Sequence, residues 1–506
     1  MSRTLMIQGT MSSVGKSLLV AALCRIFRQD GLPVAPFKAQ NMALNSFVTA
    51  DNREVGRAQA VQAAAAGIDV TVEMNPILIK PEADSFSQIV VLGRPWTRLA
   101  ARDYFQRRHE LWQIVTTSLD ALRKQYELVV IEGAGSPVEL NLRRNDVVNM
   151  AIAEYADAPV LLVGDIDRGG IFAQLLGTLA LLEARERARV RGLVVNKFRG
   201  DRRLFDDGVH ILEERGAVAV LGVVPFMRDV RIADEDSVAL DERPARPAAE
   251  PQIDIAVVRL PHISNFDDFD PLVAEPGVRV RFVERANEIG QPDLVILPGT
   301  KTTIVDLRWL QMHGITKRIL DLARAHVPMV GICGGYQMLG HTIRDPDAVE
   351  AETLEIAGLG LLPTTTTYHA EKETTRVQGT IHANSGLFAD ARGIDVEGYE
   401  IHMSRTTSST DSQPLLHISR GGGYRSNRFD GTVSTNGWIS GTYLHGLFDN
   451  DHLRHIMLRN LAQRKAQHRD VQIVFERETA YDQLAEVVRA HLDIPALYDI
   501  IGGLRK

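Results

Sequence analysis

Two short segments combine residue types and spacing that can do chemistry. The first is Gly9-Thr10-Met11-Ser12-Ser13-Val14-Gly15-Lys16-Ser17, set between an apolar N-terminal run and a helical pattern. Glycines let backbone N–H groups converge on a phosphate, and a helix N-terminus adds a favourable dipole. Lys16 is spaced to reach the outer phosphates and Ser17 to hold Mg²⁺, so the loop reads as an ATP site walled by Gly9, Thr10, Gly15, Lys16 and Ser17. The Gly-Lys-Ser ending argues against a glycine turn that binds nothing. The second segment is Val330-Gly331-Ile332-Cys333-Gly334-Gly335-Tyr336-Gln337-Met338-Leu339-Gly340. An apolar run ends at Cys333, small neighbours permit a strained turn, and a helix follows at once: a cysteine nucleophile elbow. Cys24, among Ala21, Ala22 and Leu23 in a helical pattern, reads as inert packing.

A thiolate nucleophile needs a base and an oxyanion pocket. His445 lies in Gly441-Thr442-Tyr443-Leu444-His445-Gly446-Leu447-Phe448-Asp449-Asn450, between a β-rich tract and a helical tail. Alone, such a histidine is more often structural; a cysteine elbow in the same half reverses that reading. Leu297-Pro298-Gly299-Thr300-Lys301 ends an apolar run in a glycine turn, so Gly299 and Gly334 are the expected oxyanion donors. In the first half, Val129-Val130-Ile131-Glu132 puts a carboxylate at the carboxyl end of a buried strand, where ligands of open α/β sheets collect. Glu132 is thus a candidate Mg²⁺ ligand beside Ser17. Asn196 ends another strand and suits either a base edge or a helix cap.

The elements that must position these residues follow from periodicity. Apolar runs at 4–8, 34–37, 128–132, 160–164, 192–196 and 221–225 alternate with helical patterns at 17–29, 102–125 and 171–184, the rhythm of a parallel sheet covered on both faces. Residues 233–252, rich in Asp, Glu, Pro, Arg and Ala, read as a linker. The rhythm restarts with strands at 254–259, 278–282, 294–297 and 329–332 and a helix over 303–325. A β-rich tract from 358 to about 442 follows, with 421–423 as a turn, then a helical tail from 451. The division expected is an ATP-binding domain at 1–232, a linker, and a second α/β domain at 253–506 that includes the tail.

The net charge of −7 argues against sequence-independent nucleic-acid binding, which needs a basic face. Two distant cysteines build neither a disulfide framework nor a thiol-rich zinc site. With no apolar run long enough for a membrane span and no signal-peptide pattern, a cytoplasmic protein without membrane or nucleic-acid partners is expected.

The five-residue interval between Gly9 and Gly15, without an early lysine, resembles the loop of dethiobiotin synthetase and its relatives, which activate a carboxylate as an acyl phosphate. The Cys333 and His445 segments resemble class I glutamine amidotransferases, which release ammonia from glutamine. Most of that class carry a glutamate two residues after the histidine; here Leu447 stands there, as in the cobyrinate-amidating branch, and the residue orienting His445 stays unassigned. Further segments, 37–46, 54–60, 74–81, 87–88 and 399–403, closely resemble the cobyric acid synthase family along nearly the whole chain. That resemblance implies ATP-dependent amidation of the b, d, e and g carboxylates of adenosylcobyrinic acid a,c-diamide. L-glutamine would be the nitrogen donor and the corrinoid the partner, its cobalt belonging to the substrate rather than to a protein metal site. It implies Lys38, Gln40, Asn41 and Asn45 facing carboxylate or γ-phosphate, Lys80 and Ser87 lining the corrinoid site, and Glu54 joining Ser17 and Glu132 on Mg²⁺. The rivals are the sister enzyme that amidates the a and c carboxylates, a cell-wall glutamate amidotransferase, and a P-loop ATPase switch that performs no ligation.

Overall fold

Successive residues of a strand face opposite sides of its sheet, so a strand apolar at every position must be covered twice. The Leu5-Met6-Ile7 run of the strand Arg3–Gly9 obeys this: Met6 joins one buried cluster with Val129, Leu162 and Val195, while Leu5 and Ile7 join another with Val130, Val163 and Val194. The computed structural model describes residues 2–82, 86–143, 146–227, 253–409, 412–465 and 477–503. The expected linker at 233–252 lies outside the described residues, as does 228–232 of the first domain.

The first domain is built on a six-stranded parallel sheet. Its spatial order is Val220–Pro225, Val190–Phe198, Val160–Asp165, Arg3–Gly9, Leu128–Glu132, Val34–Phe37. The strand order reverses around Arg3–Gly9, which puts the loop that follows it at the topological switch point. A smaller four-stranded sheet, from Gln40–Met42 to Arg94–Ala100, leans on one edge of the domain.

The second sheet runs Val278–Val283, Ile253–Val258, Leu294–Leu297, Met329–Ile332, Ile439–Thr442, all parallel, and ends in the short antiparallel Thr432–Val433. Two long antiparallel strands of a separate sheet, Thr364–Ile381 and Asp395–Ser408, lie beside it, and Arg376 of the former strand meets Asn52 and Val48 of the first domain. The expected turn at 421–423 closes the hairpin of Leu416–Gly421 with Tyr424–Asp430.

Two expected helices prove interrupted. Residues 303–325 divide into Thr303–Met312 and Ile315–Arg324 because Gly314 takes a left-handed backbone (φ 70°) that stops the first helix. Residues 102–125 divide at Arg107 into Ala101–Gln106 and Arg108–Gln125. The tail requires a correction. Helices Arg477–His491 and Ile494–Ile500 follow the second domain in sequence but pack on the first, Leu484, Val488 and Leu497 sharing a core with Leu23 and Phe27. Arg25 Nε meets Asp482 Oδ1 at 2.7 Å, and the Asp493 N–H donates to Leu221 O at 2.7 Å. Apolar helical faces state that they need a partner, not which domain supplies it. No helix of the described residues is long and apolar enough to cross a membrane.

Candidate active site: two chemical centres and the contact between them

The elbow forms where Met329–Ile332 runs into the helix Gly334–Leu339. Cys333 turns the chain at φ 49° and ψ −108°, a conformation costly for any side chain but glycine's, and its N–H is pinned to Thr442 O at 2.8 Å. Gly335 is required: a Cβ there would fall 1.9 Å from Leu297 O. Since Ile332 and Thr442 are register partners on adjacent parallel strands, His445, three residues beyond Thr442, comes to the thiol's side of the sheet. The buried imidazole donates a hydrogen bond to Cys333 and places Nδ1 2.7 Å from Asp268 Oδ2, while Asp268 Oδ1 accepts the Gly446 N–H at 2.9 Å. Burial pushes the imidazole pKa down, but the charge and hydrogen bond of Asp268, joined by Cys333, carry it up to about 10. Tyr399 stacks on the ring at 5.3 Å.

Asp268 is the orienting acid that position 447 lacks. It lies in Asn265-Phe266-Asp267-Asp268-Phe269, 177 residues before the histidine; a short acidic run after a strand end was its only trace in sequence. The expected oxyanion loops also come together. A Cβ on Gly299 would sit 3.0 Å from His445 Cε1, and one on Gly334 3.2 Å from the Thr300 nitrogen.

The phosphate loop closes around Lys16, whose Nζ donates to Met11 O at 2.9 Å and Gly135 O at 3.2 Å. Gly15 takes φ 95°, and Asn196 lies where its Cβ would be, with Nδ2 donating to Val14 O at 2.7 Å. Thr10 Oγ1 donates to Gln174 Oε1 at 3.2 Å. Glu132, fully buried, gathers the rest: Oε1 accepts from Ser17 Oγ at 2.8 Å and from Lys38 Nζ at 2.9 Å, and Oε2 from Gln62 Nε2 at 2.6 Å. Gln62, in the alanine-rich helix Arg57–Ala66, carried no sequence signal of this role. A hydroxyl and a carboxylate in contact suit Mg²⁺, which takes one or two carboxylates and fills its other positions with water and phosphate oxygen.

Glu54, the third expected Mg²⁺ ligand, is held here by two ammonium groups. Lys80 Nζ meets its Oε1 at 2.7 Å, and Lys372, from the second domain, meets Oε2 at 2.5 Å. Burial opposes its charge, yet the two ammonium groups hold the Glu54 carboxyl well below the usual range, while burial lowers Lys372 to about 8. Lys80 also donates to Ser46 Oγ at 2.9 Å, and Gln88, next to half-buried Ser87, accepts from Lys372 at 3.3 Å. Of the remaining candidates, Asn41 Nδ2 donates to Gln59 Oε1 at 3.0 Å and Gln40 accepts from Tyr104 Oη. Asn45 Oδ1 accepts the Asn265 N–H across the domain boundary at 2.7 Å. Lys38 therefore belongs to the phosphate centre, whereas Asn45 and Lys80 sit at the contact between domains.

Two family models match the chain. The family model for the CobQ/CobB/MinD/ParA nucleotide binding domain matches residues 5–239, and that for the CobB/CobQ-like glutamine amidotransferase domain matches residues 254–453. A cobyric acid synthase of Dehalococcoides mccartyi is 50% identical over 506 residues, covering 100% of this chain and 99% of its own. Those of Sorangium cellulosum and Chloroflexus aggregans are 52% identical over 514 residues and 54% over 456, covering 99% and 90% of this chain and 99% and 91% of their own.

Proposed function

This chain belongs to the cobyric acid synthase family, glutamine amidotransferase ligases of cobalamin biosynthesis, and we propose that it amidates the b, d, e and g carboxylates of adenosylcobyrinic acid a,c-diamide. The observation that carries the reading is that one chain holds both a Ser17–Lys38–Glu132 phosphate centre and a Cys333–His445–Asp268 centre.

In the second domain, Cys333 Sγ attacks the side-chain carbonyl of glutamine. The Gly299 and Gly334 N–H groups receive the oxyanion, and His445 gives its proton to the departing nitrogen, which leaves as ammonia. Asp268 keeps the imidazole in the tautomer and orientation that this transfer needs. Water, deprotonated by His445, then cleaves the glutamyl thioester.

In the first domain, the backbone of residues 9–15 and the Lys16 ammonium cradle the ATP phosphates. Ser17 and Glu132 would hold Mg²⁺, which when bound neutralises phosphate charge. Lys38 steadies the γ-phosphoryl group as a substrate carboxylate oxygen attacks its phosphorus and the bond to the bridging oxygen breaks, giving an acyl phosphate and ADP. Ammonia attacks that carbonyl and phosphate leaves. Asn196 braces the loop through its bond to Val14 O and, at the end of its strand, would meet the base edge. Ammonia protonated in bulk water loses its lone pair, so the buried contact between domains serves the transfer.

Mass spectrometry of the corrinoid after incubation with ATP, Mg²⁺ and glutamine tests the reading. Four successive exchanges of –OH for –NH₂ are expected. A product unchanged in mass, or an a,c-dicarboxylate accepted in place of the diamide, would overturn it.

A further inference from the structure

One buried ion pair has no part in that mechanism. Arg57 opens the helix Arg57–Ala66 of the first domain, and its Nε lies 2.7 Å from Asp267 Oδ2 of the second. Both side chains are more than nine-tenths withdrawn from water, and the guanidinium also covers the Phe47 ring at 5.0 Å. Asp267 is the residue before Asp268, the carboxylate that aims His445.

The same turn is tied down a second time. Asn265 takes a left-handed backbone (φ 52°); its N–H donates to Asn45 Oδ1 at 2.7 Å and its Oδ1 accepts the Ser46 N–H at 2.9 Å. Asp268 N–H donates back to Asn265 O at 3.0 Å. Tyr399, stacked on His445, meets Phe47 edge-on at 5.2 Å. The turn that aims the imidazole and the ring that backs it, both parts of the domain that carries Cys333, are thus also braced by the ATP-binding domain.

Burying an Arg–Asp pair brings little net stability, because desolvation consumes most of the attraction; what such a pair does supply is a fixed geometry. Here the geometry is needed. Asp267, Asp268, Asp270 and Asp449 crowd together, and Arg57 sets a cation against Asp267 with Asp449 in reach of its field. Without it the turn would relieve its repulsion by moving, and Asp268 would move with it.

We propose that Arg57 is a positioning residue for glutamine hydrolysis, supplied by the ATP-binding domain: through Asp267 it seats Asp268 and thereby His445. Glutamine hydrolysis is then competent only against the docked domain that consumes the ammonia. The inference rests on the reading of Cys333 and His445 as the glutaminase pair.

The test uses full-length Arg57→Gln and Arg57→Lys, with glutamate release, ammonium-driven amidation and thermal melting measured on each. Arg57→Gln should lower the glutaminase kcat about ten- to a hundredfold with KM for glutamine within about threefold, because the reacting groups are misplaced rather than the substrate unbound. Ammonium-driven amidation should stay within about twofold, and Arg57→Lys should recover part of the loss. A folded Arg57→Gln protein with wild-type glutaminase kcat would overturn the proposal, as would equal losses with both nitrogen sources. Should Arg57→Gln not fold, the double variant Arg57→Met/Asp267→Leu removes both charges and must show the same split. Cys333→Ala is the control: glutaminase activity surviving in it would remove the reading on which the proposal rests, an outcome distinct from an inert Arg57.

Discussion

Replacing Asp268 by Asn tests the least local part of the site. The change keeps shape and leaves an oxygen for the Gly446 N–H, but removes the charge on His445. The imidazole pKa stands at about 10 against an ordinary 6.5. At about 1.4 kcal/mol per tenfold, the surroundings favour the imidazolium by roughly 5 kcal/mol, and Asp268 is the largest favourable contributor. Losing one opposite charge at hydrogen-bond distance should bring that pKa down by about two units or more. The imidazolium is the acid that expels ammonia, so the basic limb of glutaminase kcat/KM should move toward neutrality by the same amount. The kcat at its optimum should drop roughly a hundredfold, the range of a lost proton-transfer arrangement. Stability carries the same sign. A pKa raised on folding gives a contribution that is full below about 6.5 and lost as pH rises through about 10. Glutamate release followed from pH 6 to 10 is the assay. A basic limb coincident with wild type, at unchanged kcat, would refute the role given to Asp268.

Three further outcomes are expected. Lys16→Ala should abolish amidation with ammonium as well as with glutamine, while glutamate release persists; amidation rescued by ammonium would contradict the phosphate-loop role. Iodoacetamide at neutral pH should label Cys333 and spare Cys24, whose thiol burial pushes up, as peptide mass spectrometry would show. Gly335→Ala should cost about 3 kcal/mol or more, seen in melting temperature or soluble yield, because its Cβ meets the fixed carbonyl of Leu297. An unshifted melt would mean the elbow is looser than described.

What the sequence made legible is what is local. The Gly9–Ser17 loop and the Cys333 elbow are each written in under a dozen consecutive residues, because a sharp turn between strand and helix demands small residues at fixed intervals. Their contexts, a strand before and a helix after, followed from apolar periodicity and are present in the fold. Asp268 was out of reach because nothing in a strand-end turn announces a histidine 177 residues later. The lysine partners of Glu54 were out of reach for a related reason. An acid carries no sign in sequence that a lysine of another domain, Lys372, closes on it. Residues 477–503 show the same limit in packing, since an apolar helix face does not name its partner. Gln62 left no trace, because a glutamine in an alanine-rich helix is indistinguishable from a solvated one until Glu132 is found beneath it.

The division of labour between two centres in one chain is tested most directly by exchanging the nitrogen source in Cys333→Ala. With ATP, Mg²⁺ and the diamide, this variant should form no new amide from glutamine, yet reach the fully amidated corrinoid from ammonium. Amidation from glutamine without the thiol, or none from ammonium while the variant remains folded, would contradict the account.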